Sequence, residues 1–546
     1  MRKYILSWVL LTVVLTVTAA ERPASKMRQV ALKTLNSGRI RSVLNKPTLE
    51  VYSDGTCFSV ISRDDRFPEV LAYGYGNFDI EQAPANVRWW FDRVQRSMEK
   101  AIKKDAPRYA GRTYVPIAPM METKWGQGIP YNNYAPIFGN EKAPAGCIAT
   151  AMAQLMNYQQ YPASASFNGS YIVGDITYRE IVNSNYSWPY QLAYGYYLPT
   201  ADAEEVTRLL YTPRQGNSVA ALLRDCGYAV NMKYDASGSG AMTFDVGEAF
   251  VEKFGYPRES VKYLMRDYFA EREWMDMVYA ELANNCPILY AGSSAMSGGH
   301  AFVLHGMDAE GLVFVNWGWQ GQFDGYYAID ILNPEGEDFS DGEEMIIGVR
   351  PTTLPTDGIQ SCFVTEAPYE FSYNNVTKEL TVSFTEFVFN ASCYAFTGRW
   401  CLVVEDMANP DNVEFIDMLE DGFVLEPFWG FAAWSNSDTF TPEPGFYRLY
   451  FATLDTGETD WQYVRTGGGA FYYDMTVAAD GTVTIADAPI FAASGFAVTP
   501  VRDVYWQPKA ISSDTRYYNL QGREVGSDTH GLVIMKQGNT VKKMFQ

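Results

Sequence analysis

Apolar residues at the three-, four- and seven-residue spacings of one helical face recur along this chain. Ile148, Met152, Leu155 and Met156 form one such stripe, led in by Pro144-Ala145-Gly146. The pattern predicts a helix with Cys147 at or just before its first turn. Val87, Trp90, Phe91, Val94, Met98 and Ile102 predict a second helix, and Val219, Leu222, Leu223 and Cys226 a third, in which Cys226 is core. Further helical patterns lie near 201–211 and 272–285. Strand character appears at 48–60 and 69–75, with turn signals at Asp54-Gly55 and Arg63-Asp64-Asp65. It returns at 287–291, 300–305, 312–317 and 325–330. After Pro355 the pattern becomes short alternating strands at 379–384, 400–405, 445–453 and 482–485, separated by Gly, Pro, Asn and Asp turns.

These elements divide the chain. Residues 21–112 read as a small α+β unit ending in a basic, proline-containing linker at Lys103–Arg112, the kind of exposed segment where proteolytic nicking concentrates. Residues 113–355 carry helices first and strands second. This predicts an α+β domain with the Cys147 helix packed on an antiparallel sheet. Residues 356–500 predict an all-β region, one β-sandwich or two small ones. Residues 501–546 form a tail of two or three strands with a basic end at Lys542-Lys543. The start, Met1-Arg2-Lys3, an apolar run from Tyr4 to Val17 and then Thr18-Ala19-Ala20, has the form of a signal peptide over 1–20. The expected location is therefore secreted or at the cell surface, and no later stretch is apolar for long enough to span a bilayer.

Composition narrows the partners. The 546 residues carry a net charge of −21, which argues against nucleic acid or an anionic membrane surface. Seven cysteines, an odd number, leave at least one thiol unpaired within the chain. Their spacing fits neither a disulfide scaffold nor a zinc site, and no metal or cofactor is expected. Cys393 and Cys401 are a candidate cross-strand pair that sequence leaves open.

The helix-start position of Cys147 favours thiolate over thiol, because the unpaired N–H groups and positive dipole end lie there. A thiolate nucleophile needs an imidazole, oxyanion donors and a group to orient the imidazole. Of three histidines, His530 lies in a polar turn of the tail. His300 follows Gly298-Gly299 at the start of an apolar strand, where a cleft would be. His305, five residues on, faces the other side of that strand by alternation and is expected to be structural. Gln127 is a candidate side-chain donor to the oxyanion beside the Cys147 N–H. Asn316, ending the strand expected to pair with that of His300, is placed to accept from the imidazole, with Trp317 or Trp319 covering the bond.

Four motifs carry a resemblance: Trp125-Gly126-Gln127 with Pro130-Tyr131-Asn132, Gly146-Cys147-Ile148-Ala149-Thr150-Ala151-Met152-Ala153-Gln154, Gly298-Gly299-His300-Ala301-Phe302-Val303, and Asn316-Trp317-Gly318-Trp319. In this order, across about 113–351, they resemble the streptopain family of secreted bacterial cysteine peptidases, which have a papain-like fold. The resemblance implies Cys147 and His300 as catalytic dyad, Gln127 as oxyanion donor, and Asn316 with Trp317 supporting the histidine. It implies that 21–112 is an inhibitory propeptide, similar around Tyr73-Gly74-Tyr75 and Trp89-Trp90, which holds the zymogen inactive by displacing the histidine and is cut away. The chain departs from the family's namesake at His305, where that protein has an acidic residue, and in the region after Pro355. That region, with its Tyr-Asn-Leu-Gln-Gly tail, is similar to β extensions of secreted Bacteroidetes proteins, in which such a terminal domain is a signal for secretion machinery.

The function expected from these residues is a secreted cysteine endopeptidase made as a zymogen, acting on protein and peptide substrates. Dyad pairing is expected to depress the thiol pKa. Two alternatives stand beside it: a Cys-His acyltransferase or transglutaminase, and a surface adhesin whose β region binds protein or glycan while the dyad is a relic.

Overall fold

The computed structural model describes residues 21–105, 112–191, 211–294, 298–329, 342–352, 363–409, 413–418, 423–458 and 461–492, with the backbone of five short segments between 503 and 545. The expected signal peptide over 1–20, residues 201–210 of the predicted helical pattern, most of the 103–112 segment and His530 lie outside the described residues.

Ten antiparallel strands make one sheet through the first two regions. The N-terminal unit contributes helix α1 (Ala24–Thr34), strands β1 (Arg41–Asn45), β2 (Leu49–Ser53), β3 (Cys57–Ser62) and β4 (Val70–Tyr75), then helix α2 (Ala85–Lys103). Next come α3 (Cys147–Gln159), the hairpin β5 (Ser164–Val173) and β6 (Ile176–Asn185), α4 (Pro213–Ala229), β7 (Lys262–Met265) and α5 (Glu271–Ala283). Strands β8 (Ile288–Ser294), β9 (Gly298–Met307), β10 (Val313–Asn316), β11 (Gly325–Tyr327) and β12 (Glu343–Ile347) complete it. The sheet runs β1-β2-β3-β4-β11-β10-β9-β8-β12-β7. The sheet is shared between the N-terminal unit and the region after residue 112: β4 pairs with β11, with Gly74 opposite Gly325, Tyr73 opposite Tyr326 and Ala72 opposite Tyr327. Only glycine suits this crossing, since a Cβ at Gly74 would lie 2.7 Å from the Asp324 carbonyl oxygen.

The two faces of this sheet carry different halves of the protein. On one, Leu289, Ala291, Ala301, Val303 and Ile346 bury α3 and α4 through Ile148, Met152, Leu155, Leu222, Leu223 and Cys226. This is the helical half packed on an antiparallel sheet that the α+β reading anticipated. On the other, Tyr290, Phe302, Leu304, Trp317 and Met345 bury α5 and the apolar stripe of α2, including Val87, Trp89, Trp90, Val94 and Met98. Period-two alternation sets which residue goes to which side.

Beyond residue 363 every helix or strand element among the described residues is a strand. A three-stranded sheet (Glu370–Asn374, Glu379–Phe384, Trp434–Thr439) packs on a larger one, with Phe371, Leu380, Phe384, Trp400, Phe451 and Phe471 between them. The sandwich is fastened to α5: the Arg465 guanidinium grips Glu273 at 2.6 and 2.9 Å and lies 4.3 Å over the Phe269 ring. Phe428 adds ring contacts to Phe244 and Tyr263. Cys393 and Cys401 are both free thiols. Cys393 packs on Gly247 of the preceding domain, whereas the Cys401 sulfur lies 3.1 Å from Asp417, so the two thiols serve different cores. The tail forms a four-stranded antiparallel sheet from Thr515 to Phe545, more than the two or three strands expected.

Candidate active site

Cys147 is the first residue of α3. The chain enters the helix through Gly146 at φ +94°, where a Cβ would sit 2.7 Å from Met232 Cε. A side chain at 146 would therefore be strained twice over, by the backbone and by the contact. Thr150 ties the turn down, its N–H and hydroxyl both donating to the Gly146 carbonyl at 3.0 and 2.9 Å. Ala145 N–H donates to the Gln127 carbonyl at 2.9 Å, so the loop carrying Gln127 is anchored immediately before the thiol. Gln127 itself is half-buried.

The thiol is half-exposed by area, yet its sulfur is enclosed, and burial, the largest influence, pushes its pKa up. The backbone N–H groups of Ala301, Ile148 and Cys147 act in the opposite direction and are outweighed. The expected depression of the thiol pKa is thus not a property of this state of the chain. The helix terminus favours thiolate by about 0.3–1 kcal/mol, and withdrawal from water outweighs it.

His300 belongs to β9 and is half-buried. The backbone of the next residue, Ala301, touches the Cys147 sulfur. The register pairs His300 with Gly292, and Gly292 in turn with Glu343 on β12. Alternation puts His300 on the side of Phe302 and Leu304, the face covered by α2, while α3 lies under Ala301 and Val303. Trp89 of α2 rests on Gly292: a Cβ there would fall inside the indole. The same alternation sends His305 to the α3 face. There it is buried, its Nδ1 accepts from Met121 N–H at 3.2 Å, and its ring meets Phe314 edge-on. Burial drives its pKa down to about 3, which keeps it neutral and unsuited to proton shuttling.

Asn316 ends β10 with 1% exposure. Its Nδ2 donates to the Thr123 carbonyl at 2.7 Å and to Gln154 Oε1 at 3.0 Å. Its Oδ1 accepts from Gly318 N–H at 3.0 Å and from Gln154 Nε2 at 3.3 Å. Trp317 is buried against Phe302 and Tyr327, at ring distances of 4.6 and 5.0 Å. Its backbone N–H donates at 3.0 Å to Oδ1 of Asp324, a buried carboxyl whose pKa burial raises to about 7. Two residues of α2 reach the same place: Asn86 Nδ2 donates to the Trp317 carbonyl at 3.0 Å, and Trp90 Nε1 to the Ala328 carbonyl at 3.0 Å. Neither Gln154 nor Asn86 was singled out from sequence. Gln154 lies in the quoted cysteine motif, which was the one available signal. Among the described residues no group of His, Cys, Asp and Glu is placed to hold a metal ion, and no helix is long and apolar enough to cross a membrane.

The peptidase C10 family model matches residues 125–327. The thiol protease/hemagglutinin PrtT of Porphyromonas gingivalis is 33% identical over 334 residues, 55% of this chain and 36% of that protein. The chain thus spans about a third of that relative's length. Streptopain of Streptococcus pyogenes is 28% identical over 370 residues, 61% of this chain and 87% of that protein. A mutant fragment of prointerpain A from Prevotella intermedia has a similar structure, with a TM-score of 0.51 and 30% identity, covering 58% of this chain and all of the fragment. The family match runs through Gln127, Cys147, His300, Asn316 and Trp317, and the prointerpain A fragment, at 30% identity, is covered throughout; the chain belongs to the peptidase C10 family.

Proposed function

We propose that this chain is the zymogen of an exported cysteine endopeptidase with Cys147 as nucleophile and His300 as its base and acid. The observation that supports this most is the thiol at the first residue of α3, with the backbone beside His300 against its sulfur. In the working state His300 takes the thiol proton and the sulfur attacks a peptide carbonyl. The Cys147 N–H and the Gln127 amide donate to the oxyanion. The carbon–nitrogen bond breaks as His300 returns the proton to the leaving amine. Water, deprotonated by His300, then releases the acyl group and regenerates the thiol.

Latency follows from the side of the sheet that His300 occupies. Residues 21–112 act as the propeptide, with β4 extending the sheet and α2 holding Trp317 and Ala328 by buried hydrogen bonds. Trp89 on Gly292 supports the β8–β9 ladder with His300 on the α2 face, and the thiol stays protonated. Removing α2 frees the start of β9 to turn His300 toward Cys147. The 1–20 leader supports export, and the 501–546 tail serves as the sorting signal. Natural targets are proteins or peptides.

The test uses mature protein and an epoxide inhibitor of papain-like enzymes. Labelling should map to Cys147 alone and abolish casein digestion, and Cys147→Ala should neither label nor digest. Digestion by purified Cys147→Ala would refute the proposal.

A further inference from the structure

The Asn316 amide has two N–H groups and two acceptor lone pairs, and all four are engaged. Two of the four go to a single residue, Gln154, whose own amide returns the pairing: Asn316 Nδ2 donates to Gln154 Oε1 while Gln154 Nε2 donates to Asn316 Oδ1. The two amides thus form a closed, doubly hydrogen-bonded ring at 1% exposure each. The orientation is fixed by the backbone around it. Flipping the Asn316 amide would set its NH2 against Gly318 N–H and its oxygen against the Thr123 carbonyl, two like-with-like contacts in a buried site. Gln154 stands seven residues, two turns, after Cys147 on α3, so the helix that carries the thiol also carries the clamp on Asn316.

We propose that Gln154 is a positioning residue with two duties. It fixes the plane of the Asn316 amide, and in the latent chain it fills the Oδ1 acceptor that an N–H of the His300 imidazole takes on activation. The bond that must yield is the longest of the four, 3.3 Å. Gln154 then keeps Asn316 in place by accepting from its Nδ2. The inference rests on the assignment of Cys147 and His300 above and adds the residue that sets Asn316.

The experiment uses the full chain. In matured enzyme, Gln154→Leu removes both halves of the ring and is expected to lower kcat tenfold or more at unchanged KM. It should also move the acid limb of the kcat/KM profile, because the imidazole loses a fixed partner. Gln154→Glu still accepts from Nδ2 and should retain several-fold more activity than Gln154→Leu. In the Cys147→Ala zymogen, the Asn316 side-chain amide resonances should shift on Gln154→Leu, and in the unsubstituted residue-154 background on propeptide removal. The inference is overturned if Gln154→Leu leaves kcat within twofold and the acid limb in place. If Gln154→Leu does not fold, Asn316 resonances that are identical before and after propeptide removal overturn it. Loss of activity in Cys147→Ala with no change in Gln154→Leu would sink this inference alone. Activity in Cys147→Ala would sink the site assignment beneath it.

Discussion

Trp90 measures how firmly α2 holds the peptidase half. Its indole is 1% exposed, lies edge-on to Tyr327 at 4.9 Å across the domain boundary, and donates to the Ala328 carbonyl at 3.0 Å. Truncating a buried tryptophan to alanine costs about 3–5 kcal/mol. At about 1.4 kcal/mol per factor of ten, that is roughly a hundred- to several-thousand-fold in the equilibrium for opening α2. Part of the loss falls on Phe91 of the same helix, 5.0 Å away, so the lower half of the range is expected for undocking. The assay is limited trypsin digestion of the full chain in the Cys147→Ala background, where self-processing is silent. Cleavage of a transiently opened segment follows the open population when reclosing is fast. Trp90→Ala should therefore be cut within 21–112 at least a hundred times faster than the parent. Arg88→Ala, on the exposed side of the same helix, should stay within about 0.5 kcal/mol of it. Equal digestion of Trp90→Ala and the parent would mean that docking of α2 does not hold this region, and the account of latency would fail.

Other consequences concern charge and the domain interface. His305 has a folded pKa of about 3 against 6.5, so its stabilising contribution is present above pH 6.5 and is lost as pH falls from 6.5 toward 3. Between pH 7 and pH 5 this amounts to about 2 kcal/mol. His305→Gln keeps an acceptor for Met121 N–H, and urea unfolding should show a correspondingly flatter response to acid. Asp324 has the opposite sign. Its pKa is raised from 3.8 to about 7, so stability is lost as pH rises between those values. Asp324→Asn should be more stable than the parent at pH 8 by a few kcal/mol, with no such gain at pH 4. Arg465→Ala leaves the part-buried Glu273 carboxylate without its guanidinium partner and should weaken docking of the β-sandwich by about 1.5–3 kcal/mol. Calorimetry should then split into two transitions, and the double variant with Glu273→Ala should recover part of the loss.

Much of the arrangement was legible from local pattern. The stripes beginning at Val87, Ile148 and Val219 are α2, α3 and α4, because burial of one face demands that spacing. Several strands began within a residue or two of their expected places. Helix α1, strand β1 and the β5–β6 hairpin were not anticipated. The hairpin turns at Gly174 with φ +61°, a short-turn signal, but its second strand is largely exposed and its first in part half-buried, so neither carries a sustained alternation. Alternation placed His300 and His305 on opposite faces but could not say which face holds α3. That depends on packing between residues more than a hundred positions apart. The same holds for Gln154 and Asn316, 162 residues apart. The helix-start argument for a lowered thiol pKa was sound as a local effect and was outweighed by burial, which no local pattern reveals.

The central claim is that Cys147 performs the chemistry and that residues 21–112 restrain it. Intact mass and N-terminal sequence of the full chain, incubated as wild type, Cys147→Ala and a mixture of the two, test it most directly. The account predicts that wild type loses its N-terminal unit by cleavage near the 103–112 linker, that Cys147→Ala alone stays whole, and that mature wild type trims Cys147→Ala at the same bond. Cys147→Ala that matures by itself at the wild-type rate would contradict it.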